Sequence, residues 1–265
     1  LFPIEEKEQY EFVFVPALPT DNPHLPLEYY KSLESLPENQ RRAYLEGNWD
    51  VFAGQYFSEW DRVIHTISPF QIPPTWKRFR AYNHGRENPA CCLWFALDQD
   101  GRVWVYRELY VRGLDVPQIA EKIIKLSEGE SYDYSVADPS IFHKTGFVDQ
   151  YGGQTIAESF ARAGVIFFPA SNRRIDGWTL LHQYLYWTDF QQPKIIFFNT
   201  CYESIRTIPS LIHDEVHPED VDTDGEDHAG DTVRYFLSSL HERKAPLPKS
   251  ATEKRFEEWK QKGTI

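Results

Sequence analysis

Hydrophobic and polar positions along the middle of the chain follow the two-residue period of β-strands. The pattern predicts three successive strands over residues 78–84, 90–97 and 102–110, and the second of them is almost wholly apolar. The turn between the last two, Asp98-Gln-Asp-Gly101, ends in Asp-Gly, which is a strong hairpin signal. This part of the chain therefore predicts an antiparallel meander.

Beyond the meander, segments with helical spacing alternate with short apolar runs. The predicted strands are 132–137, 165–168 and 194–198, and the predicted helices are 116–126, 154–163, 178–186, 202–211 and 227–242. Three antiparallel strands followed by alternating helices and strands predict an α/β protein with a mixed sheet flanked by helices on both faces. A ribonuclease-H-like (integrase-like) fold has this order of elements.

The first 74 residues have a different character from the rest of the chain. They combine a strand-like run at 11–15, a stretch punctuated by four prolines, and a helical segment over 27–46 that is broken at Pro37. We therefore expect a lead-in segment over 1–74 that packs on the main domain, the main domain over 75–245, and a charged tail over 246–265. The chain contains no methionine, so we also expect it to be part of a larger polypeptide.

Composition narrows the class of protein. Hydrophobic residues make up 41% of the chain and aromatic residues 15%, which is enough for a sizeable core. No apolar run approaches the roughly 20 residues that cross a bilayer, and no signal peptide is recognisable, so a soluble protein with no membrane partner is expected. Cys91, Cys92 and Cys201 form no disulfide framework, which favours a reducing, intracellular setting.

The net charge of −12 first argues against a nucleic-acid partner, but its distribution weakens that argument. The segment from His213 to Asp231, inclusive, contains nine acidic residues and no Lys or Arg. Basic residues cluster elsewhere, at Lys77, Arg78, Arg80 and Arg86, at Arg173 and Arg174, and at Arg243, Lys244 and Lys249. The simplest interpretation of each cluster alone is a solvated surface, so overall charge does not decide whether the protein binds DNA.

The predicted final helix carries two carboxylates on one face. Asp227 and Asp231 are four residues apart, so they lie one turn from each other and repel by a few tenths of a kcal/mol unless a cation lies between them. His228 could orient or supplement a ligand there. The alternative is that the acids stabilise the helix start through capping and the helix dipole.

Two further positions end predicted strands. Asp138 closes one strand before Pro139, where α/β folds place ligands; it could equally be a helix N-cap with proline in the first helical position. Asn83 falls within or at the end of the first predicted strand, before Gly85, where asparagine is also common for structural reasons. A zinc set made of Cys201, His213, His217 and His228 is a further alternative, although its irregular spacing lacks the usual paired cysteines.

Together these segments resemble the C-terminal nuclease domain of the large terminase subunits of tailed bacteriophages, the proteins that package viral DNA. The resemblance covers about residues 10–240 and includes a lead-in, Leu45-Glu-Gly47-Asn-Trp49 followed by Phe52-Ala-Gly54-Gln-Tyr-Phe57. The segments around the acids carry the rest of it: Arg80-Ala-Tyr-Asn83-His-Gly85, Tyr134-Ser-Val-Ala-Asp138-Pro-Ser140, Asn199-Thr-Cys-Tyr-Glu-Ser-Ile-Arg206, and Asp222-Thr-Asp-Gly-Glu-Asp-His228 with Asp231 and Arg234-Tyr235.

The resemblance implies an endonuclease that cuts concatemeric double-stranded viral DNA at the start and end of packaging, by hydrolysis with two Mg²⁺ or Mn²⁺ ions. It makes Asp138 and Asp231 metal ligands, with Asp227 beside them and His228 as an orienting neighbour. The implied partners are the DNA, an ATPase domain of the same polypeptide, the portal protein and the small terminase subunit, in the host cell cytoplasm. DNA contacts are expected at Lys77, Arg78, Arg80, Arg86, Arg173 and Arg174.

The sequence departs from this pattern at one residue. The first-strand acid of the resemblance falls at Asn83, and an amide supplies a neutral oxygen without the negative charge. We therefore expect cutting to be impaired, through either an engineered inactivating change or a natural one. A DNA-gripping module that never cuts, or another nuclease such as a junction resolvase, are the alternatives; the lead-in at 45–57 argues against the resolvase.

Overall fold

The computed structural model describes residues 18–34, 45, 54–85, 87–144, 155–222 and 225–242. The chain divides into two compact units, Leu1–Ala53 and Gly54–Ile265. The predicted domain boundary at residue 74 stays a prediction, although the unit that contains the sheet begins at Gly54. The strand predicted at 11–15 and the tail predicted at 246–265 lie outside the described residues.

The described part of the first unit is helical. It contains a short 3-10 helix, Pro19–Asp21, and helix α1, Leu27–Glu34. The hydroxyl of Tyr30 donates a hydrogen bond to the carbonyl of Pro19 at 2.8 Å and so joins these two elements. Of the predicted helix over 27–46, the structure describes residues 27–34 and residue 45, all of them helical.

The second unit is built around a mixed seven-stranded sheet. Its strands are β1 (Thr66–Ile67), β2 (Lys77–Asn83), β3 (Ala90–Leu97), β4 (Val103–Val111), β5 (Tyr134–Ala137), β6 (Phe168–Pro169) and β7 (Ile195–Phe198), in the spatial order β1-β7-β4-β3-β2-β5-β6. Strands β2, β3 and β4 form the predicted antiparallel meander, and the other neighbours pair in parallel. The carboxyl ends of β2, β4, β5 and β7 therefore meet at one edge of the sheet.

The helices of this unit match the predicted ones closely. They are α2 (Arg62–His65), α3 (Val116–Leu126), α4 (Ile156–Arg162), α5 (Arg174–Leu185), α6 (Tyr202–Thr207) and α7 (His228–Glu242). Helix α6 ends earlier than predicted, because Pro209 turns the chain into a 3-10 helix, Ile208–Ser210. Helix α5 begins four residues earlier than predicted, and the strand predicted over 165–168 is observed as β6 at Phe168–Pro169. Neither helix α2 nor the two-residue strand β1 was predicted.

Alternating side chains of β2 contact helices on opposite faces of the sheet. Phe79 packs against Phe236 of α7, with ring centroids 5.3 Å apart. Tyr82 points to the other side and packs edge-on against Phe160 of α4, at 5.0 Å. The prediction of a mixed α/β sheet flanked by helices on both faces is therefore confirmed. Within the described residues, no helix combines the length and apolar character that a membrane crossing needs.

Candidate functional site

Two of the predicted site residues meet at the carboxyl ends of adjacent parallel strands. Tyr82 of β2 pairs with Ala137 of β5, so the next residues along the two strands, Asn83 and Asp138, are neighbours. The backbone N–H of Asp138 donates to the carbonyl of Tyr82 at 3.0 Å and holds this register. The sequence prediction that both lie at one sheet edge agrees with this placement.

The start of helix α7 lies over the same edge. The alternation of β2 turns Asn83 to the face that α7 covers, as it does Phe79, and the Asn83 side chain is only 5% exposed. Its Nδ2 donates to the carbonyl oxygen of His228 at 3.5 Å, which is a long hydrogen bond. Asn83 thus links the strand end directly to the first turn of the helix that carries Asp227 and Asp231.

Asp138 acts as an N-cap in this structure. One carboxylate oxygen accepts from the N–H of Ser140 at 2.8 Å and the other from the Ser140 hydroxyl at 2.7 Å, at the start of a 3-10 helix, Pro139–Phe142. The capping alternative is therefore realised. Asp138 is nevertheless close enough to α7 for its charge to act on Tyr235, as the charge of Asp231 also does.

The two carboxylates of the final helix are buried and paired with arginine. Asp227 and Asp231 are 8% and 7% exposed. Arg174, on α5, donates from Nη2 to Asp227 at 3.3 Å and from Nη1 to Asp231 at 3.4 Å. Arg234 adds two bonds to Asp231, at 3.0 and 2.8 Å. The cation that this acidic pair needs is supplied here by two guanidinium groups.

A third carboxylate anchors Arg174 from the acidic loop. Its Nε lies 2.7 Å from Oδ1 of Asp220, which also accepts from the indole N–H of Trp178 at 2.8 Å. Sequence reasoning assigned Arg174 to DNA binding, but its side chain is only 24% exposed and each of its nitrogens faces a different aspartate. Arg174 is therefore part of the acidic site.

Burial shifts the titration of the site. Burial and then the neighbouring Asp231 carboxylate raise the pKa of Asp227 to about 6, against the opposing effect of Arg174. Burial also lowers the pKa of His228, although the nearby acids oppose that shift, so the neutral imidazole is favoured. His228 Nδ1 lies 3.7 Å from an oxygen of Asp227, beyond hydrogen-bond distance, so its role as an orienting neighbour stays a prediction.

The residues present do not fit a two-metal site. Oxygen donors of suitable chemistry come from three elements at one edge, but position 83 lacks the carboxylate charge and Asp138 uses both oxygens in its cap. Asp227 and Asp231 are paired with arginine. In the described parts of the chain, no group of three or more His, Cys, Asp or Glu side chains is arranged to hold a metal ion.

This arrangement also contradicts the zinc alternative. Cys201 is fully buried, and its thiol donates to the carbonyl of Val105 at 3.5 Å. Burial raises the pKa of the Cys201 thiol, so the thiolate that zinc requires is disfavoured. His213 is bonded instead to the carbonyl of Pro218.

Most of the basic residues predicted to bind DNA lie away from this edge. Lys77 and Arg78 begin β2, six and five residues before Asn83, so Lys77 lies about 20 Å from the site along the strand. Arg80 is half-buried on the opposite face, bonded to Ser135 and Ser127 and stacked on the ring of Tyr132 at 4.3 Å. Their role in DNA binding stays a prediction, but they do not flank the acidic residues.

The other three arginines predicted to bind DNA have three different environments. Arg173 is exposed and pairs with Asp176 at 3.2 Å, Arg174 belongs to the acidic site, and Arg86 lies outside the described residues. Sequence reasoning missed Arg112 and Arg206, which lie at the same sheet edge as Asn83 and are more than half exposed. The sequence could have identified Arg112 as a candidate, because this residue directly follows β4, a strand parallel to β2.

Comparison with known proteins supports the fold. No protein-family model and no protein of curated function matches the sequence. Among solved structures, the large terminase of thermophilic bacteriophage D6E in complex with ADP is 20% identical, with a TM-score of 0.57 over 84% of this chain and 54% of that chain. The P22 large terminase nuclease domain is 17% identical, with a TM-score of 0.56 over 71% of this chain and 93% of that chain.

This chain thus spans about half the length of the D6E terminase chains that it matches. It spans nearly all of the P22 nuclease domain, so the likeness falls on the nuclease part of the large terminase. At these identities the likeness is one of fold, and it confirms the predicted ribonuclease-H-like architecture.

Proposed function

We propose that this chain, whose fold is that of large-terminase nuclease domains, is the endonuclease domain of a phage packaging terminase. Its substrate is concatemeric double-stranded viral DNA, cut at the initiation and termination of packaging. The observation that supports this best is the convergence of Asn83, Asp138 and the start of α7 at one edge of the sheet.

In this proposal the chain as written cuts poorly. Phosphodiester hydrolysis needs an activated water and charge relief on the leaving oxygen, and hard divalent cations held by carboxylates supply both when they are bound. Asn83 brings no charge, and Arg174 and Arg234 already neutralise the carboxylates of α7. We therefore assign dependence on two Mg²⁺ or Mn²⁺ ions to the Asn83→Asp variant alone, in which Asp138 would exchange its Ser140 contacts, and Asp231 and Asp227 their arginine contacts, to act as the other ligands.

A second candidate is a DNA-gripping module that does not cut. The pairing of both α7 carboxylates with arginine favours it, because a charge-balanced site needs no metal to be stable. The codon at position 83 of the encoding gene separates the candidates in part. A natural asparagine codon favours the gripping module, and an aspartate codon favours an engineered change in an enzyme.

The decisive experiment compares plasmid cleavage by the chain as written and by Asn83→Asp, in Mg²⁺, Mn²⁺ and chelator. We expect little cleavage by the former, and at least a tenfold gain in the variant, which needs only about 1.4 kcal/mol of transition-state stabilisation. The gain should vanish with chelator. Asn199→Asp is the matched control, because it makes the same change just beyond β7.

Two results would overturn the assignment. Background cleavage by Asn83→Asp in both metals, from a folded protein that binds DNA, would leave the gripping module as the better account. Efficient cleavage by the unaltered chain would show that Asn83 does not occupy the position of the first acid.

The partners of the chain follow from the same proposal. They are an ATPase domain in the same polypeptide, the portal protein and the small terminase subunit, in the host cell cytoplasm. The D6E terminase, of which this chain matches 54%, was solved in complex with ADP, which supports a nucleotide-binding part in that protein.

A further inference from the structure

Two exposed arginines from separate elements converge on one carboxylate at the site edge. Arg112 directly follows β4, Arg206 lies in the last turn of α6, and each donates from Nη2 to a different oxygen of Glu226. The two arginine side chains are 58% and 55% exposed, whereas that of Glu226 is 34% exposed. The sequence separates Arg112 from Glu226 by 114 residues, so only the fold creates this arrangement.

This arginine pair lies beside the candidate site. Asn83 pairs with Cys91 across β2 and β3, and Cys91 pairs with Tyr110 across β3 and β4, so these side chains form one row on one face of the sheet. At about 4.8 Å per strand, the row places Tyr110 roughly 10 Å from Asn83. Arg112 lies two residues after Tyr110, just beyond the carboxyl end of β4, and Glu226 directly precedes Asp227.

Tyr110 brings an unused hydrogen-bond donor to the same place. Its hydroxyl is enclosed and makes no hydrogen bond to the described residues. The charges of Glu226 and Arg206 both act on it, so it lies close to these two side chains. An enclosed hydroxyl without an acceptor is costly, and a small shift of the surrounding side chains on binding an anion would give it a partner.

The contacts of the pair in the free protein are of a kind that another anion can replace. Exposed ion pairs of this sort contribute only about 0–1 kcal/mol each, so exchange of Glu226 for another anion costs little. A guanidinium group offers five N–H donors in a planar fork that fits phosphate as well as carboxylate. Arg206 also bonds Glu203 of its own helix through Nε and through the same Nη2 that bonds Glu226, so Glu203 fixes the direction of the guanidinium group while Glu226 takes the other N–H of Nη2.

We propose that Arg112 and Arg206 bind a backbone phosphate of the nucleic acid beside Asn83, and that Glu226 occupies this phosphate site in the free protein. The inference rests on the proposed function, since it takes a DNA backbone as the ligand. It also gives the path of the bound nucleic-acid strand. This strand runs from Asn83 across the sheet edge, over the ends of β3 and β4 towards α6, and not along β2 towards Lys77.

The test measures binding of a fluorescently labelled duplex by anisotropy, in chelator so that no cutting occurs, over a series of salt concentrations. We expect the double variant Arg112→Gln/Arg206→Gln to weaken binding about tenfold at low salt. It should also reduce the slope of log affinity against log salt by about 0.9, because the two arginines share one phosphate and each neutralised phosphate contributes roughly that much. Glu226→Gln should tighten binding several-fold, because it removes the competing carboxylate.

Matched controls come from helix α3. This helix leads to Ser127, which contacts Arg80 and Trp94 on the opposite face of the sheet. Lys122→Gln/Lys125→Gln removes the same two charges from exposed positions there, and Glu121→Gln removes one exposed acid. Thermal unfolding of every variant excludes loss of binding through loss of structure, and Glu226→Gln remains a test if the arginine variants unfold.

The outcomes separate this site from the function on which it rests. If the unaltered chain binds no duplex, the proposed function fails and the phosphate site fails with it. If the chain binds duplex, but the arginine variant weakens no more than the lysine control, the phosphate site alone is wrong. Equal effects of Glu226→Gln and Glu121→Gln would show that Glu226 does not compete for the site.

Discussion

Arg173 and Arg174 are adjacent and of the same type, but their side chains have opposite environments. Arg173 lies before α5, is 75% exposed and pairs with one exposed aspartate of its own helix. Arg174 begins the helix, faces inward and joins Asp220 of the acidic loop to Asp227 and Asp231. The carboxylates of these three aspartates repel one another. Because Arg174 contacts all three, we interpret it as the residue that holds them together.

Replacement of Arg174 should therefore cost far more stability than replacement of its neighbour. Arg174→Gln leaves three partly buried aspartates short of a cation, and we expect the free energy of unfolding to fall by about 2 kcal/mol. Arg173→Gln should change it by less than about 0.5 kcal/mol, as is usual for exposed pairs. Urea denaturation at neutral pH measures both; equal losses would show that Arg174 contributes no more than a surface pair.

Glu130 lies away from the site, and its contacts predict that the free energy of unfolding depends on pH. Its burial would raise the pKa, but hydrogen bonds from Arg107, Tyr132 and Tyr106 outweigh burial and hold the pKa below its ordinary value of 4.5. A depressed pKa in the folded state means that the charged form stabilises the fold above pH 4.5 and that this contribution is lost as the pH falls.

Glu130→Gln should accordingly destabilise the protein by about 2 kcal/mol at neutral pH, and by less at about pH 3, because the stabilisation from the charge is lost progressively as the pH falls below 4.5. The measurement is chemical denaturation at both pH values. The exposed Glu121→Gln, as a control, should have a small effect at each. A cost that stays constant with pH would contradict this role of the Glu130 charge.

At the scale of elements, the approach of α5 to α7 positions the acids. Arg234 is 1% exposed and passes directly over Gly177 of α5, where an added Cβ would lie 2.2 Å from its Cγ and 2.7 Å from its Cδ. Its guanidinium stacks near Trp178, at 5.1 Å, and holds Asp231. A glycine is needed at this crossing because a side chain would fill the space through which Arg234 reaches Asp231.

Gly177→Ala should therefore destabilise the protein, although alanine favours helix by about 1 kcal/mol over glycine. Overpacking a buried contact costs about 1–3 kcal/mol, and here the displaced side chain is itself buried, so we expect a net loss of about 2 kcal/mol. Gly225→Ala is the control, since its nearest neighbour would be 3.7 Å away. A rise in the unfolding temperature of Gly177→Ala would show that the crossing is looser than described.

At the scale of the whole molecule, charge balance at one edge of the sheet determines how much a metal ion can add to the stability of the fold. A ligand that binds only the folded state at a hundred times its Kd adds about 2.7 kcal/mol to the free energy of unfolding. In this chain the α7 carboxylates are already paired with Arg174 and Arg234, and Asn83 adds no charge.

Mn²⁺ should consequently leave the unfolding temperature of the chain unchanged and raise that of Asn83→Asp by several degrees. Scanning calorimetry with and without Mn²⁺ measures this directly and needs no cleavage activity. Parallel scans with Ca²⁺ and with chelator separate specific Mn²⁺ binding from an effect of ionic strength. A similar rise in both proteins would show that metal displaces arginine without the Asn83 carboxylate.

Several elements follow from the sequence because their signals are local. Residues 90–97 form one apolar run beside an Asp-Gly turn, and both strands of that hairpin lie where this pattern predicts. Helix α3 lies at its predicted bounds, because its apolar residues repeat at helical spacing from Val116 onwards. The order of such elements already implies the mixed sheet, and with it the meeting of Asn83 and Asp138 at one edge.

The partners of the charged side chains depended on the tertiary structure. Whether Arg174 faces DNA or Asp227 depends on how α5 crosses α7, 53 residues apart in sequence, and the pairing of Arg112 with Glu226 joins β4 to the loop before α7. The basic cluster at Lys77 and the amide at Asn83 are close in sequence, but an extended strand places them at opposite ends of the sheet. Periodicity specifies which face a residue occupies, whereas a charge takes its partner from whatever the fold brings within a few ångströms of it.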